Sequence, residues 1–328
     1  MSEFFIPQRP RRNRKSATIR SAISETKVST DNLLFPLFLL DGTAKKEEIL
    51  SMPGIFRMSE ELILSEIEAC MNLGVKMFAL FPAVDDSLKD KTASYSWAKD
   101  NFYCRTIGQI KARFPEAMLM TDVAMDPYSS DGHDGFVKDG KILNDETLPI
   151  LGKMALAQAE AGADIIGPSD MMDGRVGYIR NVLDENGFTD VSIMAYTAKY
   201  ASAFYGPFRD ALSSAPKFGD KKTYQMDYAN VKEALIEAEL DEDEGADFLM
   251  VKPALAYLDV IKTLSEKSNL PIAAYQVSGE YAMIKAAAEK GWLNEEKIVM
   301  ETLTAIKRAG ASIILTYFAR QFAESQRF

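Results

Sequence analysis

The amino-acid sequence predicts an α/β fold, a (β/α)8 TIM barrel with an extended N-terminal arm. The chain contains eight short apolar runs with helical patterns between them, and most of the runs lack polar alternation. Strands that are covered on both faces have this pattern, and parallel pairing requires long helical return connections. An open doubly wound sheet is the lesser alternative. The eight runs cover residues 33–39, 77–81, 117–123, 165–167, 191–195, 248–251, 272–275 and 312–316.

A repeated sequence pattern gives the order of these elements along the chain. A helical pattern ends in a small residue and a glycine, and an apolar run follows, at Gly74, Gly162, Gly245 and Gly310. Glycine accepts the left-handed conformation that often ends a helix, so each copy of the pattern predicts a helix followed by a strand. One helical pattern begins after a predicted Ser59 cap, and its apolar positions are Leu62, Ile63, Ile67 and Met71.

Composition limits the classes of function. The 328 residues carry a net charge of −10, which argues against nucleic-acid binding because phosphate backbones favour cationic surfaces. No apolar run approaches the roughly 20 residues that span a bilayer, and no Gly-x-Gly-x-x-Gly motif follows an early strand. The two cysteines, Cys70 and Cys104, form neither a disulfide framework nor a zinc ligand set, and Cys70 is predicted to be buried. We expect a cytoplasmic protein with no membrane or nucleic-acid partner.

The N-terminal segment differs from the rest of this acidic chain because it is basic. Three interpretations are open: a solvated tail, a transit-peptide remnant, or an arm that packs on an acidic neighbouring subunit. We favour the arm, and divide the chain into an arm for subunit contacts (1–30) and a catalytic barrel (31–328). The basic cluster consists of Arg9, Arg11, Arg12, Arg14 and Lys15.

Polar residues at the predicted carboxyl ends of the strands indicate a site, because barrel enzymes carry their chemistry there. Lys252 ends one apolar run, where it either reaches solvent or is a desolvated amine able to attack a carbonyl. Lys199 follows the neighbouring strand, and repulsion between two adjacent amines would favour the uncharged form. These two positions are compatible with a Schiff-base enzyme, of which an aldolase would be one kind, and with a catalytically silent scaffold.

The loop over residues 122–135 concentrates four aspartates and the only histidine of the chain. It is either a solvated, turn-rich loop or a site for a hard cation or a general base. His133 alone is weak evidence, and we interpret it as a structural or substrate-neighbouring residue rather than a zinc ligand.

Five stretches of sequence resemble one family of enzymes. Residues 122–135, 167–175, 194–199, 204–210 and 250–253 are similar to porphobilinogen synthase, also called 5-aminolaevulinate dehydratase. The resemblance runs from residue 9 to the end. It implies a lyase of haem and chlorophyll biosynthesis that condenses two 5-aminolaevulinate molecules into porphobilinogen with loss of two waters.

The resemblance also implies roles for individual residues. Lys252 and Lys199 would hold the two substrates as Schiff bases, on the propionate and acetate sides of the product, and Asp122 would meet a free substrate amino group. Residues 200–222 resemble a lid. One substrate carboxylate would be bound by Arg209, Lys221 and Gln225, and the other by Ser278 and Tyr317. The expected pocket-lining residues are Ser169, Tyr196, Tyr205 and Phe208.

The sequence departs from the family pattern in the loop over residues 122–135. Zinc-dependent members carry three cysteines where this chain has Ala124, Asp126 and Asp134, so no zinc is expected and carboxylates suit Mg²⁺. Asp126 and Asp134 are possible active-site Mg²⁺ ligands. Glu237 resembles the position of an allosteric Mg²⁺ held through water. Family members assemble as homo-octamers through their arms, with a hexamer as the low-activity alternative.

Overall fold

Strands and helices alternate along the described chain, which is residues 6–212 and 217–326 of a computed structural model. The strands are β1 (Leu33–Leu40), β2 (Lys46–Glu48), β3 (Phe56–Met58), β4 (Met77–Ala83), β5 (Met118–Val123), β6 (Phe136–Lys138), β7 (Lys141–Leu143), β8 (Ile165–Pro168), β9 (Ser192–Lys199), β10 (Phe248–Lys252), β11 (Ile272–Gln276) and β12 (Ile313–Thr316).

Helices connect most of the strands. They are α1 (Ala17–Ala22), α2 (Glu60–Asn72), α3 (Phe102–Arg113), α4 (Asn144–Glu160), α5 (Arg175–Glu185), α6 (Gly206–Leu212), α7 (Lys232–Asp243), α8 (Leu258–Lys267), α9 (Ser278–Glu289), α10 (Glu295–Ala309) and α11 (Ala319–Ser325). Short 3-10 turns cover Pro10–Arg14, Thr30–Asn32, Asp86–Leu88, Ser94–Trp97, Ala203–Tyr205 and Leu255–Tyr257.

Eight parallel strands close into a barrel in the order β1-β4-β5-β8-β9-β10-β11-β12, and β12 pairs back with β1. Closure leaves no free edge in this ring, and the connecting helices form an outer layer. The predicted α/β (β/α)8 barrel is therefore confirmed, and the open sheet is excluded. No helix of the described part of the chain is long and apolar enough to cross a membrane.

Most local predictions are confirmed, with three differences. The four glycines of the repeated sequence pattern all have positive φ at helix ends, as predicted: Gly74, Gly162, Gly245 and Gly310. Ser59 does precede α2, but its hydroxyl accepts a hydrogen bond from the backbone N–H of Lys45 at 3.1 Å rather than from the helix.

The other two differences concern strands. Strand β9 extends four residues beyond the prediction that ended at residue 195, so Lys199 is its last residue rather than the residue just past it. The short pairs β2–β3 and β6–β7 were not predicted. They contain three residues per strand, which is too short for a hydrophobic period to be visible.

The N-terminal segment lies outside the barrel core. Residues 6–32 include the turn Pro10–Arg14 and helix α1, and none of these residues is buried in the single chain. A helix of six residues is marginal in water without packing. Its lack of burial is consistent with the predicted arm, whose role in subunit contacts stays a prediction.

The core lies between the strand ring and the helices, and isoleucines on helix inner faces contribute to it. We predict that Ile67→Ala in α2, at a fully buried position, lowers the free energy of unfolding by about 2–5 kcal/mol through lost burial and a cavity. The matched change Ile236→Ala in α7, where the side chain is 59% exposed, should cost less than about 0.5 kcal/mol. Urea unfolding followed by circular dichroism measures both, and equal losses would contradict this assignment of the core.

Candidate active site

The last residues of β9 and β10 place two lysines side by side. The strands are parallel, and Lys252 pairs with Lys199 across the ladder. Their exposed fractions are only 5% and 6%. The carboxyl ends of neighbouring parallel strands meet at one rim of a barrel, so both amines lie where barrel enzymes carry their chemistry.

Aromatic rings surround the Lys252 amine. Its Nζ lies 5.1 Å from the ring centroid of Tyr196, 5.3 Å from that of Tyr205, 4.9 Å from that of Phe208 and 4.5 Å from that of Tyr275. Tyr196, Tyr205 and Phe208 are predicted pocket residues, whereas the sequence analysis missed Tyr275. The rings exclude water from the amine and also attract its charged form through their π faces.

The balance of these effects favours the free amine. Burial, followed by repulsion from the Lys199 ammonium, lowers the pKa of Lys252 to about 7, although Asp122 opposes the shift. A free amine is the nucleophile that forms a Schiff base with a carbonyl. Lys252 is therefore available as a nucleophile near neutral pH.

The Lys199 amine sits among polar groups. Its Nζ donates a hydrogen bond to the backbone carbonyl of Ser169 and lies 4.0 Å from Oδ2 of Asp134. The ring of Tyr196 lies 5.8 Å away, so this one side chain faces both amines. The two lysines thus have unlike surroundings, an aromatic one for Lys252 and a polar one for Lys199.

Asp122 interacts electrostatically with both lysines and with Asp126 of the following loop. Burial and the nearby Asp126 raise its pKa to about 7, while a hydrogen bond with the Ser169 side chain and the charges of both lysines oppose the shift. Within the described residues, its Oδ1 is buried and has no hydrogen-bond partner. Such an acceptor is available to a bound molecule.

Lys221 bridges the two aspartates predicted as metal ligands. Its Nζ lies 3.1 Å from Oδ2 of Asp126 and 3.0 Å from Oδ1 of Asp134. Burial alone would lower the pKa of Lys221, but the two carboxylates raise it. Burial opposes ionisation of Asp134, yet Lys221 and Lys199 lower its pKa to about 2, whereas burial and Asp134 raise the pKa of Asp126.

A divalent ion at Asp126 and Asp134 would have to displace the Lys221 ammonium, which contacts both carboxylates. Among the described residues, no group of three or more His, Cys, Asp or Glu side chains has the geometry of a metal site. Because it contacts these aspartates, the Lys221 ammonium is not directed at a substrate carboxylate in this arrangement. The predicted metal role of the pair and the carboxylate-binding role of Lys221 therefore stay predictions.

The described part of the predicted lid contacts the site at several points, whereas residues 213–216 of the lid lie outside the described residues. The backbone N–H of Phe208 donates to Oγ of Ser278 at 3.0 Å, and the Tyr205 hydroxyl donates to the carbonyl of Lys252 at 3.0 Å. Gly279 allows this close approach, since a Cβ there would lie 2.5 Å from the carbonyl oxygen of Phe204. The first part of the lid is thus seated directly on the ends of β10 and β11.

His133 holds the second part of the lid. Its buried ring lies within hydrogen-bonding distance of the Tyr224 hydroxyl, at 3.2 Å from Nδ1, and of the Phe218 carbonyl, at 3.0 Å from Nε2. Both ring nitrogens are therefore used by the fold. This position supports the structural interpretation of His133.

Three further predicted substrate-binding residues are Tyr317, Arg209 and Gln225. The hydroxyls of Tyr317 and Tyr275 are 2.9 Å apart, which brings Tyr317 to the aromatic surroundings of Lys252. Arg209 is half-buried on α6, and Gln225 is buried on the segment after Lys221.

Glu237, on α7, faces a cleft that His133, Phe218 and Gln225 also line. It lines this cleft, of about 760 Å³, together with Asp173 and Glu233. Burial raises its pKa to about 7, with Arg175 opposing the shift.

Arg175 also links this region to the site; the sequence analysis includes it in the resembling stretch 167–175 but gives it no role. It forms a buried ion pair with Asp241, 3.1 Å between Nη1 and Oδ1, and donates to the carbonyl of Tyr196 at 3.3 Å. Neither motif spacing nor periodicity indicates this ion pair, because its two residues lie 66 positions apart in the chain.

The fold and these groups define a (β/α)8 enzyme built around two adjacent buried amines. A sequence profile described as delta-aminolevulinic acid dehydratase matches residues 7–325. The chain belongs to the delta-aminolevulinic acid dehydratase family. Its activity is that of porphobilinogen synthase, a hydro-lyase reaction of tetrapyrrole biosynthesis. This excludes the aldolase and scaffold interpretations.

Individual relatives support the same assignment. A chloroplastic delta-aminolevulinic acid dehydratase of Physcomitrium patens is 56% identical over 326 residues, which cover 99% of this chain and 75% of the relative. The Bradyrhizobium diazoefficiens dehydratase is 55% identical, covering 97% of this chain and 91% of the relative. The crystal structure of the Toxoplasma gondii enzyme in complex with the reaction product porphobilinogen has a TM-score of 0.96 at 51% identity, covering 98% of this chain and 95% of that one.

The lowered pKa of Lys252 leads to a prediction about pH. Labelling of Lys252 by trace acetic anhydride should rise through about pH 7, since only the free amine reacts and it predominates above the pKa. Lys199→Met removes a positive neighbour and should move the midpoint to higher pH, whereas Asp122→Asn removes a negative one and should move it lower. Peptide mass spectrometry measures the labelling, with the exposed Lys222 as reference. Shifts of the same sign in both variants would contradict the electrostatic account.

Proposed function

We propose that Lys252 and Lys199 each bind one molecule of 5-aminolaevulinate as a Schiff base during the condensation. The observation that carries this proposal is the pairing of the two buried amines at the ends of β9 and β10. Two identical substrates must play different parts in the reaction. The aromatic surroundings of Lys252 and the polar surroundings of Lys199 would assign the two substrates different roles.

Each amine attacks the ketone carbon of one substrate and releases one water as the imine forms. A carbon–carbon bond and a carbon–nitrogen bond then join the substrates, the lysines are released, and loss of a proton gives the pyrrole. The sum is two 5-aminolaevulinate molecules converted to porphobilinogen and two waters. Holding both substrates at adjacent positions supplies the main rate advantage, because it replaces the diffusional encounter of the two substrates by fixed geometry.

Asp122 is the group that would meet the free amino group of one substrate. Its unpartnered oxygen is an acceptor for that group, and its pKa of about 7 allows it to exchange a proton near neutral pH. Ser169 supports this role, because its hydroxyl bonds Asp122 and its carbonyl accepts from Lys199. One short segment therefore orients both an acid–base group and an amine.

The substrate carboxylates would be held at the edges of the site. Ser278 and Tyr317, at the ends of β11 and β12, would bind one of them. Arg209 and Gln225 would bind the other, together with Lys221 if its ammonium leaves the aspartates. The lid would then exclude water and protect the imines from hydrolysis.

Glu237 is the proposed position of an allosteric Mg²⁺. A cation in this cleft would offset part of the negative charge of Asp173, Glu233 and Asp241, which lie around Glu237 and which Arg175 opposes. A hydrated ion held through water suits a single carboxylate better than a direct three-ligand cage. The magnesium-responsive branch of the family is thus proposed for this chain, with no zinc requirement.

Assembly and location complete the proposal. The unburied basic arm is suited to cover an acidic surface of a neighbouring copy, where Arg11, Arg12 or Arg14 could approach α7. We propose a homo-octamer built through these arms and a cytoplasmic location. The relatives include both chloroplastic and bacterial proteins.

The function is tested by colorimetric assay of porphobilinogen with EDTA-treated protein and added Mg²⁺ or Zn²⁺. We expect product formation that Mg²⁺ raises and Zn²⁺ leaves unchanged. Lys252→Met and Lys199→Met should each lower kcat by at least about 10³-fold, because each removes a nucleophile. Lys262→Met, at an exposed lysine of α8, is the matched control and should retain activity. Full activity of either active-site variant would contradict the two-imine proposal.

The metal position has its own test. Glu237→Gln should abolish stimulation by Mg²⁺, whereas Glu239→Gln, an exposed position on the same helix, should leave it intact. Activity titrated with Mg²⁺ measures both variants. Loss of the response in Asp126→Asn but not in Glu237→Gln would instead place the ion in the active site.

A further inference from the structure

The polypeptide that follows β10 and the polypeptide that follows β11 separate at the rim of the barrel. The ladder between the two strands ends with Val251 opposite Ala274. Beyond that point lie Lys252 on one side and Ser278 on the other. Some other contact must fix their separation, because no strand pairing continues between them.

A buried carboxylate makes that contact. Glu280, in the first turn of α9, is fully buried. Its Oε1 accepts from the backbone N–H of Leu255 at 2.5 Å, and its Oε2 accepts from that of Val277 at 2.5 Å and that of Ala254 at 3.4 Å. Burial raises the pKa of Glu280 to about 7, and the three N–H groups oppose this shift. One side chain thus joins the segments that follow both strands.

Capping of α9 explains only part of this arrangement. A glutamate at the third helical position often bonds the N–H of the residue that precedes the helix, here Val277. The bonds to Leu255 and Ala254 cross 25 and 26 residues of sequence and serve no helix end of α9. They bind the chain two and three residues after Lys252.

We propose that Glu280 is a positioning residue that fixes the separation between Lys252 and Ser278. Rigid separation matters because one substrate would be held at both ends, by an imine at Lys252 and by a carboxylate contact at Ser278. The two groups lie close together, since Phe208 donates to Oγ of Ser278 and its ring lies 4.9 Å from Nζ of Lys252. This inference rests on the proposed role of Lys252 as a Schiff-base residue.

Two substitutions separate positioning from capping. Glu280→Gln keeps the length of the side chain but replaces one acceptor oxygen by a donor, which would face a backbone N–H. Glu280→Asp keeps the charge and can still cap α9, but it is one methylene shorter and loses the bonds to Leu255 and Ala254. Asn294→Ala is the matched control, because Asn294 caps α10 through the N–H of Lys297 at 3.0 Å and is exposed.

The experiment is borohydride trapping of 5-aminolaevulinate at a series of concentrations, with the modified lysine identified by peptide mass spectrometry. We expect both Glu280 variants to raise the concentration for half-maximal trapping at Lys252 by roughly tenfold or more, because misplacement of a reacting group by about 1 Å has effects of this size. Trapping at Lys199 should change by less than about twofold. Glu280→Asp should melt below Asn294→Ala, because two backbone N–H groups lose their partner at a buried position, and Asn294→Ala should leave trapping at both lysines unchanged.

The outcomes are distinguishable. Unchanged trapping at Lys252 in a destabilised Glu280→Gln protein would reduce Glu280 to a helix cap and overturn the inference. Equal losses at both lysines would also overturn it, because they indicate a general disturbance of the barrel. Failure of the wild-type protein to trap substrate at Lys252 would instead contradict the proposed function. If Glu280→Gln does not fold, Glu280→Asp supplies the same comparison.

Discussion

The pairing of two buried amines on neighbouring strands is the constraint on which the rest of the site depends. Parallel strands bring Lys199 and Lys252 into register, and both side chains are almost fully buried. Two adjacent ammonium groups in such a place would be costly, because burial and like-charge repulsion both oppose ionisation. The pKa of about 7 for Lys252 follows from this cost. The fold thus produces a nucleophile through placement of the lysine.

The surrounding carboxylates have different charge states for the same physical reasons. Asp134 is kept ionised by Lys221 and Lys199, whereas burial raises the pKa values of Asp122 and Asp126. The Lys221 ammonium therefore supplies, within the chain, positive charge of the kind that a metal ion would supply at these aspartates. Preorganised charges of both signs in a water-poor site are the usual means by which enzymes stabilise developing charge. The metal response of the protein is then proposed to act through Glu237, outside this group.

Much of the fold was predictable from the sequence, and less of the site. The glycines at helix ends and the unbroken apolar runs predict eight barrel strands, because both signals are local. Lys252 was identified because it ends such a run. The bridge from Lys221 to Asp134 and Asp126, 87 and 95 positions earlier, could not be predicted, since it joins segments that only the tertiary structure brings together. The roles of Tyr275 and Glu280 were also missed, because in the sequence each is an ordinary residue near a strand or helix end.

The central claim is that each chain holds two substrates on two different lysines, and intact-mass spectrometry after borohydride reduction tests it most directly. With saturating 5-aminolaevulinate and a reaction quenched within one turnover, the account predicts chains carrying two reduced adducts, one at Lys252 and one at Lys199. A population that never exceeds one adduct per chain, or one modified at any other lysine, would contradict it.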